Sequence, residues 1–425
     1  MGTTPWPGRR ETRVAVVALA SASALGSFDR AIVTVAGHQM RRDFGLTDTE
    51  FGLLSGLAFA APLALGGLLA GRLADRTSRQ RLLQGGVALW SVMTALCGAT
   101  RSLGALFLAR IGVGAGEAAL APAALSMLAD HFPRERRAGP VAAYFVGAHL
   151  GQGLAFALGG ALLARLDARG HWQLIFPIAG LLGLAVVALL AFVREPERRE
   201  RLRTAAGERP LRVAEVAAYV GRRAPAFAAV LVAPPLLAVG FSALVVFLPM
   251  LLQRAHQWPI ERAGVALAAV GLPAAISGSL LAGALGRRAA PTGGHARLLA
   301  WAIALAAPCC VAIPLMPSGG LTVGVLGVGL LFYSLCLALP PMAIQAIAPN
   351  QMRGQLVGTL HLLTGLVGLG LGPVVAGSIS DRVGSLPAAL AAVLGVTFPL
   401  AAVVAFSCAR AYERVACEAA DWRSP

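Results

Sequence analysis

The chain contains no lysine; all 36 of its basic residues are arginine. Charge of either sign is scarce, with 20 acidic residues and a charged fraction of only 13% over 425 residues. A soluble domain carries about 25%, so water is excluded as the main solvent of this chain and length does not count its domains. The six cysteines (Cys97, Cys309, Cys310, Cys336, Cys408 and Cys417) show neither CxxC nor Cys/His spacing. That excludes a zinc site or a redox pair and leaves them as small apolar residues. There is no phosphate-binding P-loop, no HExxH, no GxSxG and no nucleophile with an identifiable base. ATP hydrolysis and hydrolytic chemistry are therefore excluded, the chain is not expected to be an enzyme, and no cofactor or metal is implied. No short apolar segment is followed by a signal-peptidase pattern, so the first apolar run stays as a helix.

What the chain has in abundance is apolar sequence: 57% hydrophobic residues and a mean hydropathy of +0.72. A helix needs about 20 mostly apolar residues to cross the hydrocarbon. Twelve such runs occur, at 14–36, 51–71, 82–100, 103–128, 140–164, 172–193, 225–250, 263–286, 298–316, 321–344, 355–379 and 387–408. The net charge of +16 and pI near 11.2 would fit a nucleic-acid partner. That reading is rejected because the arginines lie between the apolar runs. With the N-terminus in the cytoplasm, 26 of them fall on the inside, 8 on the outside, and two, Arg30 and Arg110, within runs. This is the positive-inside pattern, and it places both termini in the cytoplasm.

The longest gap runs from Arg194 to Arg223 and divides six runs from six. The expected organisation is an N-terminal six-helix bundle over 1–193, a cytoplasmic linker over 194–224, a second bundle over 225–408 and a cytoplasmic tail over 409–425. The linker has a short amphipathic stretch near Val213–Val220, suited to the inner membrane surface. The halves are related: the Arg76 loop recurs at Arg287, 211 residues on, and Arg137 recurs as Arg353, 216 residues on. Each arginine precedes a glycine-rich helix, ending at Gly159-Gly160 and at Gly370–Gly377. A repeat at half the chain length marks transporters built from two six-helix bundles.

Between the second and third runs stands GRLADRTSRQR, Gly71 to Arg81. It resembles the signature loop of the major facilitator superfamily at Gly71, Asp75, Arg76, Arg79 and Arg81, with Ser78 in place of a glycine and Gln80 in place of a basic residue. The resemblance implies an all-α membrane protein, twelve transmembrane helices in two pseudo-symmetric six-helix bundles. It also implies a gate latch formed by Gly71, Asp75, Arg76 and Arg79 with the start of the eleventh helix near Arg353. A carboxylate there can meet helix-terminal amides and an arginine. In the second-half copy, GALGRRAAP, Gly286 stands where the aspartate would be. A narrower resemblance, through FDRAIVTVAG, FGLTDTEFGLLSG and ARIGVGAGEAALAPAALSMLADHFPRERR, is to the spinster-like branch. Its vertebrate members export lysolipids and sphingoid phosphates.

Four formal charges lie well inside runs: Asp29 and Arg30 in the first, Arg110 and Glu117 in the fourth. Intramembrane charge is costly unless paired, so these four are expected to face the bundle interior and one another. Arg110 and Glu117 are two turns apart on one helix face, about 10 Å along it. The glycines between them, Gly112, Gly114 and Gly116, admit a neighbouring helix. The cluster is neutral when fully ionised and +1 when one carboxylate is protonated. It is therefore the expected proton-coupling and substrate cluster, with Glu117 or Asp29 taking the proton. His149, His361, Tyr144 and Tyr333 are further candidates for a cavity.

The resulting expectation is a proton-coupled secondary transporter for an amphipathic organic anion or lysolipid-like solute. Its partners are that solute, protons and the bilayer, with no nucleic acid. The chain is expected to be monomeric in the inner membrane of a bacterium. A carboxylate or sugar-acid symporter, a drug/proton antiporter and a non-transporting receptor are the alternatives. Against the antiporter, GAHLGQGLAFALGG lacks the Gly-Pro pair such proteins carry in the fifth helix. The arginine distribution predicts that a membrane-impermeant thiol label on a cysteine placed at either terminus reacts only after the cells are opened. Labelling of either terminus in intact spheroplasts contradicts the topology.

Overall fold

A computed structural model of the chain describes residues 6–133, 136–197, 213–289 and 293–421. Among them are twelve helices long and apolar enough to span a bilayer. They are α1 (Arg9–Val35), α2 (Asp48–Ala74), α3 (Arg79–Ala99), α4 (Leu103–His131), α5 (Gly139–Asp167) and α6 (Trp172–Ala191), then α7 (Ala224–His256), α8 (Ile260–Ala289), α9 (His295–Leu315), α10 (Gly319–Ile347), α11 (Gln351–Val383) and α12 (Leu386–Ala419). The last continues to Asp421, so residues 409–421, expected as a tail, prolong the helix. Of the linker, 198–212 lie outside the described residues, and Val213–Arg222 is a helix whose Val216 is buried and whose Tyr219 hydroxyl donates to the Ile347 carbonyl.

Polar caps start several spans. Thr47 and Glu50 form a reciprocal capping box at α2, and Ser78, Ser102 and Ser318 cap α3, α4 and α10, each satisfying amides that a helix start leaves open. Large side chains such as Leu108, Leu181, Leu280 and Val403 are more than 60% exposed. On helices this apolar, such faces are surfaces for lipid.

The chain divides into two compact units. The first holds residues 1–202 with 248–269, the second 203–247 with 270–425. The end of α7 and the first turns of α8 thus group with the first unit, away from the expected boundary at 225. The reason is local: Gly264 lies against the Phe156 carbonyl and Gly160 faces Ile260, while Arg254 donates to Asp48.

Each unit has the same seam. In the first, Gly147 and Gly151 of α5 lie against the carbonyls of Ala20 and Ala24 in α1. In the second, Gly368 and Gly372 of α11 lie against Ala238 and the Val239 carbonyl in α7. Both α5 and α11 widen into π-helical turns, at Ala155–Gly159 and Thr364–Leu371. Arg137 donates its Nε to the Phe132 carbonyl at 2.9 Å, and Arg353 to the Ala348 carbonyl at 3.1 Å, each five residues back. The repeat read from the arginines is thus a repeat of hydrogen bonds.

These seams close only because a Cβ is missing. Gly151→Ala and Gly372→Ala are each expected to cost about 1–3 kcal/mol through overpacking, measured as a fall in Tm of the detergent-solubilised protein. Gly354→Ala, where a Cβ meets nothing within 4 Å, should leave Tm unchanged or higher.

Candidate functional site

The four intramembrane charges assemble in the first unit. Asp29, Arg110 and Glu117 are each no more than 2% exposed. Glu117 forms its ion pair with Arg30 of α1, not with Arg110 two turns along its own helix. Adjacent residues on a helix point about 100° apart, so Arg30 meets α4 while Asp29 turns to α3. There Asp29 Oδ2 accepts from the Thr94 hydroxyl at 3.3 Å. Arg110 makes no hydrogen bond or ion pair among the described residues, and its Nε is buried without a partner. Asp29 Oδ1 and Glu117 Oε1 are likewise buried and unpaired.

The Phe59 ring of α2 holds the two arginines. Arg110 stands 5.0 Å and Arg30 6.0 Å from its centroid, within cation–π range. The glycines of α4 make this approach possible. A Cβ at Gly114 would strike the Phe59 carbonyl, and one at Gly116 would lie 2.8 Å from the Gly86 carbonyl of α3. Helix α1 supplies hydroxyls: Arg30 donates to Ser27 at 2.9 Å, and Ser23 shares a hydrogen bond with Tyr144 of α5. Tyr144 therefore joins the cluster's edge, within electrostatic reach of Arg30 and Glu117.

The other cavity candidates do not join it. His149 is half-buried with no ionisable group acting on it among the described residues. His361 is exposed and bonded to the Val357 carbonyl. Tyr333 is buried in the second unit, stacked on Phe241 with ring centroids 3.4 Å apart. None of these positions was separable by sequence, which does not orient a side chain around a helix.

The signature loop is built around an arginine. Arg79, 1% exposed, is its centre. It forms ion pairs with Asp130 at the end of α4 and with Glu195 after α6, and donates to Ser126 and to the Pro196 carbonyl. Glu195 also accepts from the Ser78 hydroxyl at 3.0 Å and the Gln80 amide at 2.8 Å. Of the two positions that depart from the family's loop, Ser78 bonds this carboxylate through its side chain and Gln80 through its backbone amide. Gly71 has open space around it and Arg76 is exposed; the side chain of Asp75 lies outside the described residues, and Arg353 turns back onto the Ala348 carbonyl just before its helix. Asp130 and Glu195 were missed, although an acidic residue just past an apolar run was a readable signal for each.

At the opposite end of the first unit, Asp48, 5% exposed, accepts from Arg254 at 3.1 Å and pairs with Arg41 at 2.9 Å. One carboxylate therefore joins the start of α2, the segment after α1 and the end of α7.

Twelve spans and an internal charge cluster define a polytopic membrane protein of the two-bundle kind. The sequence profile described as Major Facilitator Superfamily matches residues 19–373, and the chain belongs to that family. Among solved structures it is similar to a bacterial homologue of the human lysosomal transporter Spinster, in an inward-facing and unoccupied conformation. The match has a TM-score of 0.80 and 25% identity, covering 99% of this chain and 100% of that one. Among curated proteins it is 34% identical over 186 residues to an MFS-type efflux pump of Mycolicibacterium smegmatis, 44% of this chain and 42% of the pump. It is 30% identical over 192 residues to a sphingosine-1-phosphate transporter of Danio rerio, 44% of this chain and 37% of that protein. The matched stretch thus spans less than half the length of either curated relative.

The Arg79 clamp has a consequence for stability. Partial burial pushes the Glu195 carboxyl up, but the Gln80 amide, Arg79 and Ser78 outweigh it and hold the carboxyl below its usual range. A carboxyl depressed in the folded state adds stability that is present above its unfolded pKa and lost as the pH falls through the folded value. Glu195→Gln should therefore lower stability at neutral pH by about 1.5–3 kcal/mol, the worth of a hydrogen bond to a charged group. The Tm gap from the parent should narrow as the pH drops below about 4.3. A gap independent of pH contradicts the clamp.

Proposed function

We propose that the chain is a proton-coupled secondary transporter that moves an amphipathic organic anion, lysolipid-like in build, by alternating access. The observation that carries this reading is Arg110: a buried guanidinium whose Nε has no partner, beside two carboxylates that each keep one unpaired buried oxygen. A structural ion pair would satisfy these atoms, because an uncompensated buried charge is costly. Unsatisfied, they suit groups that change partner during a cycle.

The division of labour follows from the pairing. Glu117 is neutralised by Arg30. Asp29 has only a neutral hydroxyl bonded to it, so Asp29 takes the proton. Arg110, held by the Phe59 ring rather than by a carboxylate, is the anion's partner. When an anion occupies Arg110, Asp29 loses the attraction of that cation and binds a proton more tightly; by linkage, a proton on Asp29 tightens the anion. The second unit has no formal charge well inside its spans and carries the Phe241–Tyr333 stack.

Alternating access needs the two ends of the bundle to open in turn. Asp48 with Arg41 and Arg254 is the proposed outer latch. Asp75, with the start of α11 near Arg353, is the proposed inner one, as the family resemblance implies. The Arg79 clamp stiffens the loop that carries Asp75. Both termini are proposed to lie in the cytoplasm and the protein to be a monomer in a bacterial inner membrane. The relative named as a sphingosine-1-phosphate transporter supports the solute class.

The test is flux in proteoliposomes, read with fluorescent lysophosphatidylglycerol and with a sugar acid in parallel. The parent should accumulate the lysolipid when a pH gradient is imposed and only equilibrate it without one. Asp29→Asn should lose the response to the gradient while keeping exchange between two loaded compartments. Arg110→Ala should lose both. A parent that moves neither solute under any gradient contradicts the transport reading, and an Asp29→Asn variant that still accumulates solute removes Asp29 as the proton carrier.

A further inference from the structure

The cluster has a third wall that the sequence did not single out. Helix α3 turns Trp90, Thr94 and Cys97 to one buried face, each at most 4% exposed. Cys97 lies within electrostatic reach of Arg110 and Asp29, and Thr94 is the hydrogen-bond partner of Asp29. The face is neutral, uncharged in either protonation state of the cluster. We propose that Thr94 is a positioning residue for Asp29, a hydroxyl rotor that serves both the ionised and the protonated carboxyl and so sets where Asp29 exchanges its proton.

The argument rests on what a hydroxyl offers and a methyl does not. A threonine hydroxyl has one donor and two lone pairs and turns freely between them. With Asp29 ionised, Thr94 donates to Oδ2 across the 3.3 Å contact between them. With Asp29 protonated, the carboxyl donates to Thr94 Oγ1. The threonine proton then turns to the Trp90 carbonyl, one turn back on its own helix, as helical threonines commonly do. No backbone movement is needed for the exchange. Hydrogen bonds to ionised acceptors are about twice as strong as neutral ones, so the hydroxyl favours the ionised form. Removing it raises the proton affinity of Asp29.

The other groups around Asp29 do not duplicate this. Helix α4 faces it with Arg110 and Glu117, and its neighbour Arg30 is engaged with Glu117. Helix α5 brings Tyr144, bonded to Ser23, and His149, remote from any charge. Helix α6 contributes no titratable residue between Trp172 and Ala191. From α2 comes the Phe59 ring, against Arg30 and Arg110. The only hydrogen bond that Asp29 makes among the described residues is to Thr94.

The proposal builds on Asp29 as the proton carrier, and its test is separable from transport. The pH titration of the protonated-carboxyl stretching band is followed by infrared difference spectroscopy on the full-length protein in lipid. The Asp29 component is assigned by its loss in Asp29→Asn. Thr94→Val should move the midpoint of that component up by about one pH unit, a tenfold gain in proton affinity, and Thr94→Ser should restore the parent value. If Thr94→Val does not fold, Thr94→Ala takes its place with the same expectation. An unmoved midpoint, a Thr94→Ser variant shifted as far as Thr94→Val, or the absence of any Asp29 component overturns the proposal. Should the parent show no flux coupled to a pH gradient, the transport reading fails, while the infrared titration still decides the role of Thr94.

Discussion

The structure depends on how formal charge is carried through hydrocarbon. Asp29, Arg110 and Glu117 are buried, and Arg30 partly so, in a bundle whose outer faces meet lipid, and their neighbours make that tolerable. Opposite charges balance, an aromatic face takes what the carboxylates leave, and hydroxyls on α1, α3 and α5 fill the rest. None of this works at ordinary helix separation. Gly114 and Gly116 let α2 and α3 press onto α4, and Gly147 and Gly151 let α5 press onto α1. The glycines bring charges within reach of one another, and the charges give a reason for the glycines.

The two units share a frame and differ in content. Both have the glycine seam between their first and fifth helices, the π-helical turns in the fifth, and an arginine folded onto the carbonyl five residues before it. Among the described residues, only the first unit has the ion cluster and the Arg79 clamp. At the seam of the second, Ser242 of α7 donates to the Gly368 carbonyl at 2.7 Å, which satisfies a backbone acceptor freed by the π-helical turns. The two units thus share a frame, and formal charge deep in the spans belongs to the first alone.

Most of the fold was legible in the sequence because the bilayer imposes it: span length, arginine placement and the half-length repeat all follow from the cost of polar groups in lipid. The cluster's membership was legible for the same reason, since Asp29, Arg30, Arg110 and Glu117 have no other affordable location. Their pairing was not. Periodicity put Arg110 and Glu117 on one face, but which cation reaches Glu117 depends on the azimuth of α1 against α4, and that is set by glycine contacts on two further helices. The same limit hid Phe59, Thr94 and the joining of Asp48 to Arg254, because each is a contact between helices distant in sequence. The signature loop shows a related limit. Its residues were recognised, but the acceptors of Arg79 lie about 50 and 115 residues downstream.

The central claim is that a buried carboxylate and a buried arginine couple the binding of a proton to the binding of an anion. Calorimetric binding of lysophosphatidylglycerol, whose phosphodiester stays ionised, tests this most directly when repeated at one pH in buffers of different ionisation enthalpy. The account predicts that the binding heat varies with the buffer, that the slope corresponds to uptake of up to one proton per chain, and that Asp29→Asn flattens it. Binding at the same affinity with no buffer dependence in the parent, at every pH tried, would contradict the claim.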